Sequence, residues 1–308
     1  MQKNITNLVD KALSRRSFLA GSSAVAAATI LVGCGDNNSS TPVTPPPVTT
    51  PTLTDADYLN FALNLEYLEA EFYLRAASGN GLSSADAGTG AGTVTGGAMV
   101  PWATSAIQSY ANLIAQDELN HVRLLRAALT AAGATPVARP NIDLTAGFNA
   151  VASAAGIGST FNAFGDENSF LVGAFAFEDV GVTAYTGAAA ALTVAGNLNA
   201  AAGIQAVEAY HAGIIRTIIA GSASVSGASQ TSLTAANAIS TLRGKLGGGA
   251  ETMLSINSIV AADSNAIAYA RTTDQVLHIV YGTAPASGVK GGAFFPNGLN
   301  GNISVTAA

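Results

Sequence analysis

The sequence predicts an all-α fold, in which a bundle of four helices is followed by a C-terminal extension of helix and loop. Apolar residues make up 49% of the 308 residues, but aromatic residues make up only 6%. A composition rich in alanine and glycine favours close packing of helices over a bulky sheet core. Apolar residues recur at three- and four-residue spacing in four long stretches, and no useful strand alternation precedes the C-terminal tail.

Capping and breaking residues place the four helices. Thr54 is a typical N-cap for the first helix, and a glycine-rich loop over residues 79–101 separates this helix from the second. A connection through Pro136 and Pro140 leads to the third helix. We expect helices over about 54–78, 102–133, 166–195 and 198–220, within a bundle over residues 53–225 and with an extension over residues 226–308 that packs on it.

The N-terminus carries two targeting signals. SRRSFL at residues 14–19 matches the twin-arginine export pattern, and the apolar stretch after it is too short to span a bilayer comfortably. LVGC at residues 31–34 is typical of a lipobox, in which Cys34 is lipidated; the alternative is a cleaved signal with an incidental cysteine. We expect a signal peptide over residues 1–33, a Pro/Thr/Ser-rich tether over residues 34–52, and a lipid-anchored location in the cell envelope or periplasm.

Charge and cysteine content exclude several classes of function. The formal net charge is −6 and the isoelectric point is about 4.9. An acidic chain of this kind is not expected to bind nucleic acid, because it cannot neutralise a row of phosphates. The single cysteine, Cys34, cannot form an internal disulfide, a four-cysteine zinc site or a rubredoxin-type iron site.

Two of the three histidines follow a glutamate by three residues on predicted helices. The pairs are Glu118 with His121 on the second helix and Glu208 with His211 on the fourth. Residues three apart lie on neighbouring positions of one helix face, so each pair can hold one metal ion. The alternative is two buried hydrogen-bonded pairs, but buried carboxylates without a cation are costly.

The first and third helices repeat a second pattern. Tyr73 follows Glu66 by seven residues, and Tyr185 follows Glu178 by the same distance. Seven residues make nearly two turns, so each tyrosine shares a face with its glutamate. Di-metal sites in four-helix bundles use two Glu-x-x-His pairs plus one glutamate from each of the other two helices. The order therefore indicates one two-helix unit used twice, with Tyr73 and Tyr185 placed to donate hydrogen bonds or electrons.

Other polar residues near these patterns have less defined roles. Glu69 lies one turn from Glu66 and remains an alternative ligand, whereas Glu71 is expected to be solvated. Asp117 and Asp179 are turned away from the ligand faces, and each either orients a histidine of another helix or lies at the surface. His278 has no carboxylate at ligand spacing and is expected to be structural.

These motifs resemble the ferritin-like superfamily, and within it the bacterial and plant group named for desiccation-related proteins. The resemblance covers residues 53–301 and rests on the two Glu-x-x-His motifs, on ALNLEYLEAEFY and on the tail TDQVLHIVYG…GGAFFPNGLNG. It extends to twin-arginine-exported bacterial lipoproteins of that group. It implies a ferritin-like four-helix bundle that holds two iron or manganese ions. The ligands that it implies are Glu66, Glu118, His121, Glu178, Glu208 and His211.

The function expected from this site is a reaction with dioxygen or peroxide in stress protection. Ferroxidase, peroxidase and catalase chemistry all suit a di-metal carboxylate centre, and a peroxidase of this kind would need an external reductant because no cysteine-held iron is available. The alternative is a non-enzymatic envelope lipoprotein with a structural or metal-binding role under stress. The partners expected are metal ions, dioxygen or peroxide, and a membrane reached through the lipid anchor, with a homodimer left open.

Overall fold

The structure, a computed structural model, describes residues 52–223, 227–249 and 251–307. The predicted signal peptide, Cys34 and nearly all of the tether lie outside these residues. In chain order the elements are α1 (Asp55–Ser78), α2 (Ser84–Ala87), β1 (Val94–Thr95), α3 (Ser105–Ala131), β2 (Ile142–Asp143), α4 (Leu144–Ala155), α5 (Glu167–Ala188), α6 (Ala195–Ala223), α7 (Gly227–Leu246) and α8 (Thr273–Tyr281).

The bundle consists of two helix pairs. Helix α1 packs along α3, helix α5 packs along α6, and α1 meets α5 between the pairs. Every residue from Phe61 to Tyr73 on α1 and from Phe170 to Tyr185 on α5 is buried, as in a helix that is covered on all sides. Helices α3 and α6 instead bury one face each. The prediction of an all-α helical bundle is confirmed.

Local capping fixes where the central helices begin and end. The Thr54 backbone N–H donates to the Asp57 carboxylate at 2.7 Å, and Gly79 caps the C-terminal end of α1 with a φ of +79°, which suits a residue without a Cβ. Helix α5 begins after Asp166, whose carboxylate accepts a hydrogen bond from the Ser169 backbone N–H at 2.8 Å. These caps position the buried middle turns of α1 and α5 side by side.

The third predicted helix was too long at its C-terminal end. Helix α5 stops at Ala188 and passes through a 3₁₀ turn over Ala189–Ala191. The reason is a contact from far along the chain, since the Asp55 carboxylate accepts hydrogen bonds from the backbone N–H groups of Thr193 and Val194, both at 3.0 Å. These bonds hold the stretch before α6 as a loop against the start of α1.

The connection between the second and third predicted helices contains a helix that the sequence analysis missed. Helix α4 begins after Asp143, whose side chain accepts a hydrogen bond from the Ala146 backbone N–H at 2.7 Å. Just before it, β2 pairs in parallel with β1, with Val94 opposite Ile142. The start predicted for the second helix was also early by about one turn, because α3 begins only at Ser105.

The C-terminal part of the chain packs against the bundle. Helix α7 contacts α4, α5 and α6, and α8 contacts α5 and α7. The tail returns to α1, where the Asn64 side chain donates to the Asn300 carbonyl at 2.9 Å and accepts from the Asn300 N–H at 3.0 Å. Among the described helices, none is both long enough and apolar enough to cross a membrane.

Candidate metal centre

Side chains from all four bundle helices meet in the interior of the bundle. Helices α1 and α5 each contribute a glutamate, and α3 and α6 each contribute a glutamate and a histidine from their single buried face. None of the six residues is more than 7% exposed. The structure therefore brings together every residue predicted as a ligand, namely Glu66, Glu118, His121, Glu178, Glu208 and His211.

Three carboxylates surround the imidazole of His121. Its Nδ1 atom lies 3.2 Å from Glu66 Oε2, 3.4 Å from Glu208 Oε1 and 3.5 Å from Glu118 Oε2. One ligand atom from each of these four residues falls within 4.8 Å of the others. Together they form a first group that is able to enclose one metal ion.

A second group forms around His211. Its Nδ1 atom lies 3.1 Å from Glu118 Oε1 and 3.5 Å from Glu178 Oε2. Glu118 therefore directs one oxygen to each histidine and belongs to both groups. The two imidazole centroids are 6.3 Å apart, which leaves the shared carboxylate between two adjacent sites.

The atoms that face the interior of the cluster have no hydrogen-bond partner. Both histidine Nδ1 atoms are in this state, as are both oxygens of Glu118 and of Glu208 and one oxygen each of Glu66 and Glu178. Buried polar atoms without partners are rare in folded proteins and need a physical explanation. Because all of these atoms are the nitrogen and oxygen donors that first-row metal ions prefer, the residues present fit a pair of such ions.

A missing side chain also makes room for the cluster. A Cβ atom at Gly181 on α5 would clash with Glu208 Oε2 and would lie 3.3 Å from Glu69 Oε1. Only glycine at this position lets α5 approach the carboxylates so closely.

Burial and mutual interaction perturb every ionisable group here. Burial alone would raise the pKa of Glu118, but the nearby imidazoles of His121 and His211 lower it to about 2. Burial raises the pKa of Glu66 to about 7 despite the nearby His121. Burial would lower the pKa of His211, yet Glu178 and Glu118 raise it to about 12. The cluster thus attracts positive charge strongly, and its four carboxylates match the charge of two divalent cations.

The two tyrosines bridge the central helices. Each hydroxyl donates a short hydrogen bond to the glutamate of the opposite helix, Tyr73 to Glu178 Oε1 and Tyr185 to Glu66 Oε1. Burial, and then the neighbouring carboxylate, raise the pKa of both phenols well above its usual range, so both remain donors at neutral pH. The sequence placed each tyrosine on the same helix face as the glutamate seven residues before it. The structure shows that each tyrosine instead binds the glutamate of the other central helix.

Asp117 lies next to a histidine of another helix, the first of the two roles that the sequence predicts for it. Its carboxylate lies 3.3 Å from His211 Nε2, on the side of the ring opposite the cluster. A carboxylate at this place accepts a hydrogen bond from Nε2–H and keeps the proton on Nε2. The lone pair of Nδ1 is then available to a metal ion. The corresponding position before Glu208 is Val207, so the two halves of the centre are not equivalent.

Glu69 lies beside the cluster but belongs to neither group of candidate ligands. Of the two alternatives on α1, Glu66 is the one whose oxygen approaches an imidazole. Burial, and then the charges of neighbouring carboxylates, raise the pKa of Glu69 well above its usual range.

The expectation that Glu71 is solvated was wrong. Glu71 has no exposed surface, pairs with Arg75 Nε at 2.9 Å and with Arg139, and accepts a hydrogen bond from the Leu82 backbone N–H at 3.2 Å. Its position on α1 faces away from the cluster, but the loops after α1 and α3 cover that side. Glu71 therefore anchors loops to the bundle.

Asp179 neither orients a histidine nor lies at the surface. It is buried, and its Oδ2 atom accepts hydrogen bonds from Arg216 and Arg243, both at 2.7 Å. Arg243 and Arg271 both pair with Glu251 in the C-terminal region. The sequence analysis missed this network because its members lie on elements far apart in the chain.

His278, which the sequence predicts to be structural, lies in neither candidate ligand group of the described residues. It is buried on α8, and its Nε2 atom is 3.4 Å from the Asp274 carboxylate one turn earlier.

The sequence is similar to known proteins over the part of the chain that forms this cluster. Residues 54–221 match the family model of the ferritin-like domain, a range that includes all six cluster residues. The chain is 30% identical over 272 residues to desiccation-related protein PCC13-62 of Craterostigma plantagineum, which covers 80% of this chain and 83% of that protein. It is also 30% identical over 271 residues to ferritin-like catalase Nec2 of Nesocodon mauritianus, with 81% of this chain and 85% of that protein covered.

Proposed function

The chain belongs to the ferritin-like family, and from this premise we propose that it binds two iron or manganese ions and decomposes hydrogen peroxide. The observation that carries the proposal is the set of buried donor atoms without partners, which face one another around Glu118. A mixture of carboxylate and imidazole donors suits iron or manganese. It suits less well a soft metal ion, which prefers sulfur ligands, or an ion that prefers oxygen ligands alone.

The proposed reaction converts two hydrogen peroxide molecules into two water molecules and one dioxygen. A pair of redox-active ions would supply the exchange of two electrons at the centre. One peroxide is oxidised to dioxygen and releases two electrons and two protons. The other peroxide takes up these electrons and protons and is reduced to two water molecules. Peroxide is therefore both oxidant and reductant, and no separate electron donor is needed.

The chain's own side chains would orient the donors. Tyr73 donates a hydrogen bond to one oxygen of Glu178, and Tyr185 donates one to an oxygen of Glu66, so the other oxygen of each glutamate is held toward the cluster. Asp117 would accept a hydrogen bond from Nε2–H of His211, which favours the tautomer with an unprotonated Nδ1 facing the cluster. Burial of the cluster excludes bulk water and strengthens each of these interactions.

Two observations favour catalase chemistry over the peroxidase and ferroxidase alternatives. The single cysteine of the chain is Cys34, far before the bundle in sequence, so a rubredoxin-type centre cannot deliver electrons from within the chain. A relative with 30% identity over most of both chains is named a ferritin-like catalase. The name of the other relative, a desiccation-related protein, supports a protective role under stress.

The proposed function predicts oxygen evolution from hydrogen peroxide by the metal-loaded protein, followed with an oxygen electrode. Tyr73→Phe and Tyr185→Phe should lower the rate by about 10–100-fold, because each removes the hydrogen bond that orients a carboxylate, while metal content stays the same. Tyr67→Phe is the matched control: it is buried on the same helix, but its hydroxyl bonds the Val137 carbonyl and Arg126 instead. A fully loaded protein that evolves no oxygen would contradict catalase activity and favour the non-enzymatic envelope role.

We further propose that the protein is exported through the twin-arginine pathway and anchored by a lipid on Cys34. The sequence motifs support this proposal, although both lie outside the described residues. A Cys34→Ala protein should be exported yet recovered in the soluble periplasmic fraction, and replacement of both Arg15 and Arg16 by lysine should retain the protein in the cytoplasm. Fractionation followed by immunoblotting checks both. Membrane association of the Cys34→Ala protein would refute the lipid anchor.

A further inference from the structure

A small cavity lies beside the cluster of candidate ligands. It lies between α1, α4, α5, α7 and α8 and has about 40 Å³ of free volume. At its outer end lie Ala150 and Ala154 of α4, both exposed to solvent. Toward the interior it is lined by Glu69 and Gly181, which belong to the two central helices. The cavity thus extends from exposed residues of α4 to residues of α1 and α5 that lie next to the cluster.

The inner end of the cavity directly adjoins a candidate ligand. A Cβ at Gly181 would clash with Glu208 Oε2, so the missing side chain is what lets the cavity wall reach that carboxylate. Glu69 retains 5% exposure, whereas Glu66, Glu118 and Glu208 retain none. Among the described residues that line the cavity, Glu69 is the acidic one, so a molecule in the cavity meets Glu69 before any candidate ligand.

The lining selects for small uncharged molecules. Most of it is apolar, as at Leu65, Val180 and Leu242. Its charged side chains are Glu69 and Arg243, and Arg243 is already paired with Asp179 and Glu251. A metal ion or an ionic reductant would therefore lose most of its hydration along this lining. The free volume accommodates roughly three water-sized molecules, on the scale of 10–15 Å³ for each. Hydrogen peroxide has a suitable size and carries no charge, whereas a bulky organic hydroperoxide does not fit.

We propose that this cavity is the route by which hydrogen peroxide enters the centre, with Ala150 and Ala154 at its mouth and Glu69 and Gly181 at its inner end. The identity of the substrate, hydrogen peroxide, rests on the proposed function. The cavity adds the path that the substrate takes and an upper limit on the substrate's size. The rival path passes between α3 and α6, where the Asp117 side chain is 33% exposed.

Closing the mouth provides the test. Ala154→Trp and Ala150→Trp add bulk at exposed helical positions, where the fold tolerates a larger side chain. Each should lower the rate constant for reaction of the loaded protein with hydrogen peroxide about tenfold, equal to about 1.4 kcal/mol in activation free energy, with unchanged metal content. Ser153→Trp is the matched control, since Ser153 is exposed on the same helix but does not line the cavity. Cumene hydroperoxide should react much more slowly than hydrogen peroxide with the wild type.

Xenon in pressurised crystals gives a readout that does not depend on activity. In the wild type, xenon should occupy the cavity next to Glu69, and Ala154→Trp should abolish this density. No xenon there in the wild type, or equal peroxide rates in Ala154→Trp and wild type, would overturn the route. A loaded wild type that does not react with peroxide would instead overturn the proposed function, and the xenon experiment would then decide separately whether the cavity reaches the cluster.

Discussion

A Glu118→Ala protein is expected to retain no more than a trace of metal, the largest loss from any single substitution in the cluster. Glu118 directs Oε2 to His121 at 3.5 Å and Oε1 to His211 at 3.1 Å, so its removal takes one donor from each half of the centre. The other candidate ligands of the two groups each occur in one group only. Elemental analysis of the purified protein after gel filtration measures this loss directly.

Two further variants separate loss of a ligand from loss of the fold. Glu118→Gln preserves the size of the side chain but removes its charge, and it should also lose metal because a neutral amide is a much weaker donor. Glu167→Ala replaces a partly exposed glutamate at the start of α5, outside the candidate ligand groups, and should retain the full load. A Glu118→Ala protein with wild-type metal content would show that Glu118 is not a shared ligand.

An Asp179→Ala protein is expected to lose about 3–5 kcal/mol of unfolding free energy, because the buried Arg216 guanidinium then has no carboxylate partner among the described residues, while Arg243 keeps only Glu251. Arg216 and Arg243 are each about 2% exposed, and both donate to Asp179 at 2.7 Å. They are too deep to recover hydration when the carboxylate is removed. Chemical denaturation, followed by circular dichroism under matched metal conditions, gives the difference.

Asp86→Ala is the matched control for this prediction. Asp86 also pairs with an arginine, Arg123 at 2.8 Å, but the Arg123 side chain is 53% exposed. Exposed ion pairs contribute about 0–1 kcal/mol, so the control should unfold near the wild-type denaturant concentration. If Asp179→Ala matched this control, the arginine network would not stabilise the fold as its burial suggests.

The six cluster residues were predictable because each signal is local in the sequence. Glutamate and histidine three apart on α3 and α6 share one helix face whatever the rest of the chain does, and in the structure that face is buried. Periodicity and caps likewise located the four long helices. Helical geometry alone places both Glu66 and Glu69 near the centre, and the 3.2 Å approach of Glu66 to His121 favours Glu66 as the ligand.

Features that depend on distant partners were not predictable. Glu71 points away from the cluster, and on an ordinary helix that direction leads to solvent. On α1 it leads to Arg139, 68 residues later in the chain. Asp179 similarly meets Arg243 from 64 residues away. Helical periodicity gives the direction of a side chain from its own axis but not which elements cover it, and α4 was missed inside a segment interpreted as a connection.

The number of metal ions per chain decides whether the cluster is a di-metal centre. Elemental analysis should find two ions in the wild type, about one in His121→Ala and about one in His211→Ala, because each imidazole serves one group only. His278→Ala should still bind two, since His278 lies in neither group. A wild-type protein that never holds more than a trace of metal, after exposure to ferrous iron and to manganese in turn, would contradict the di-metal assignment.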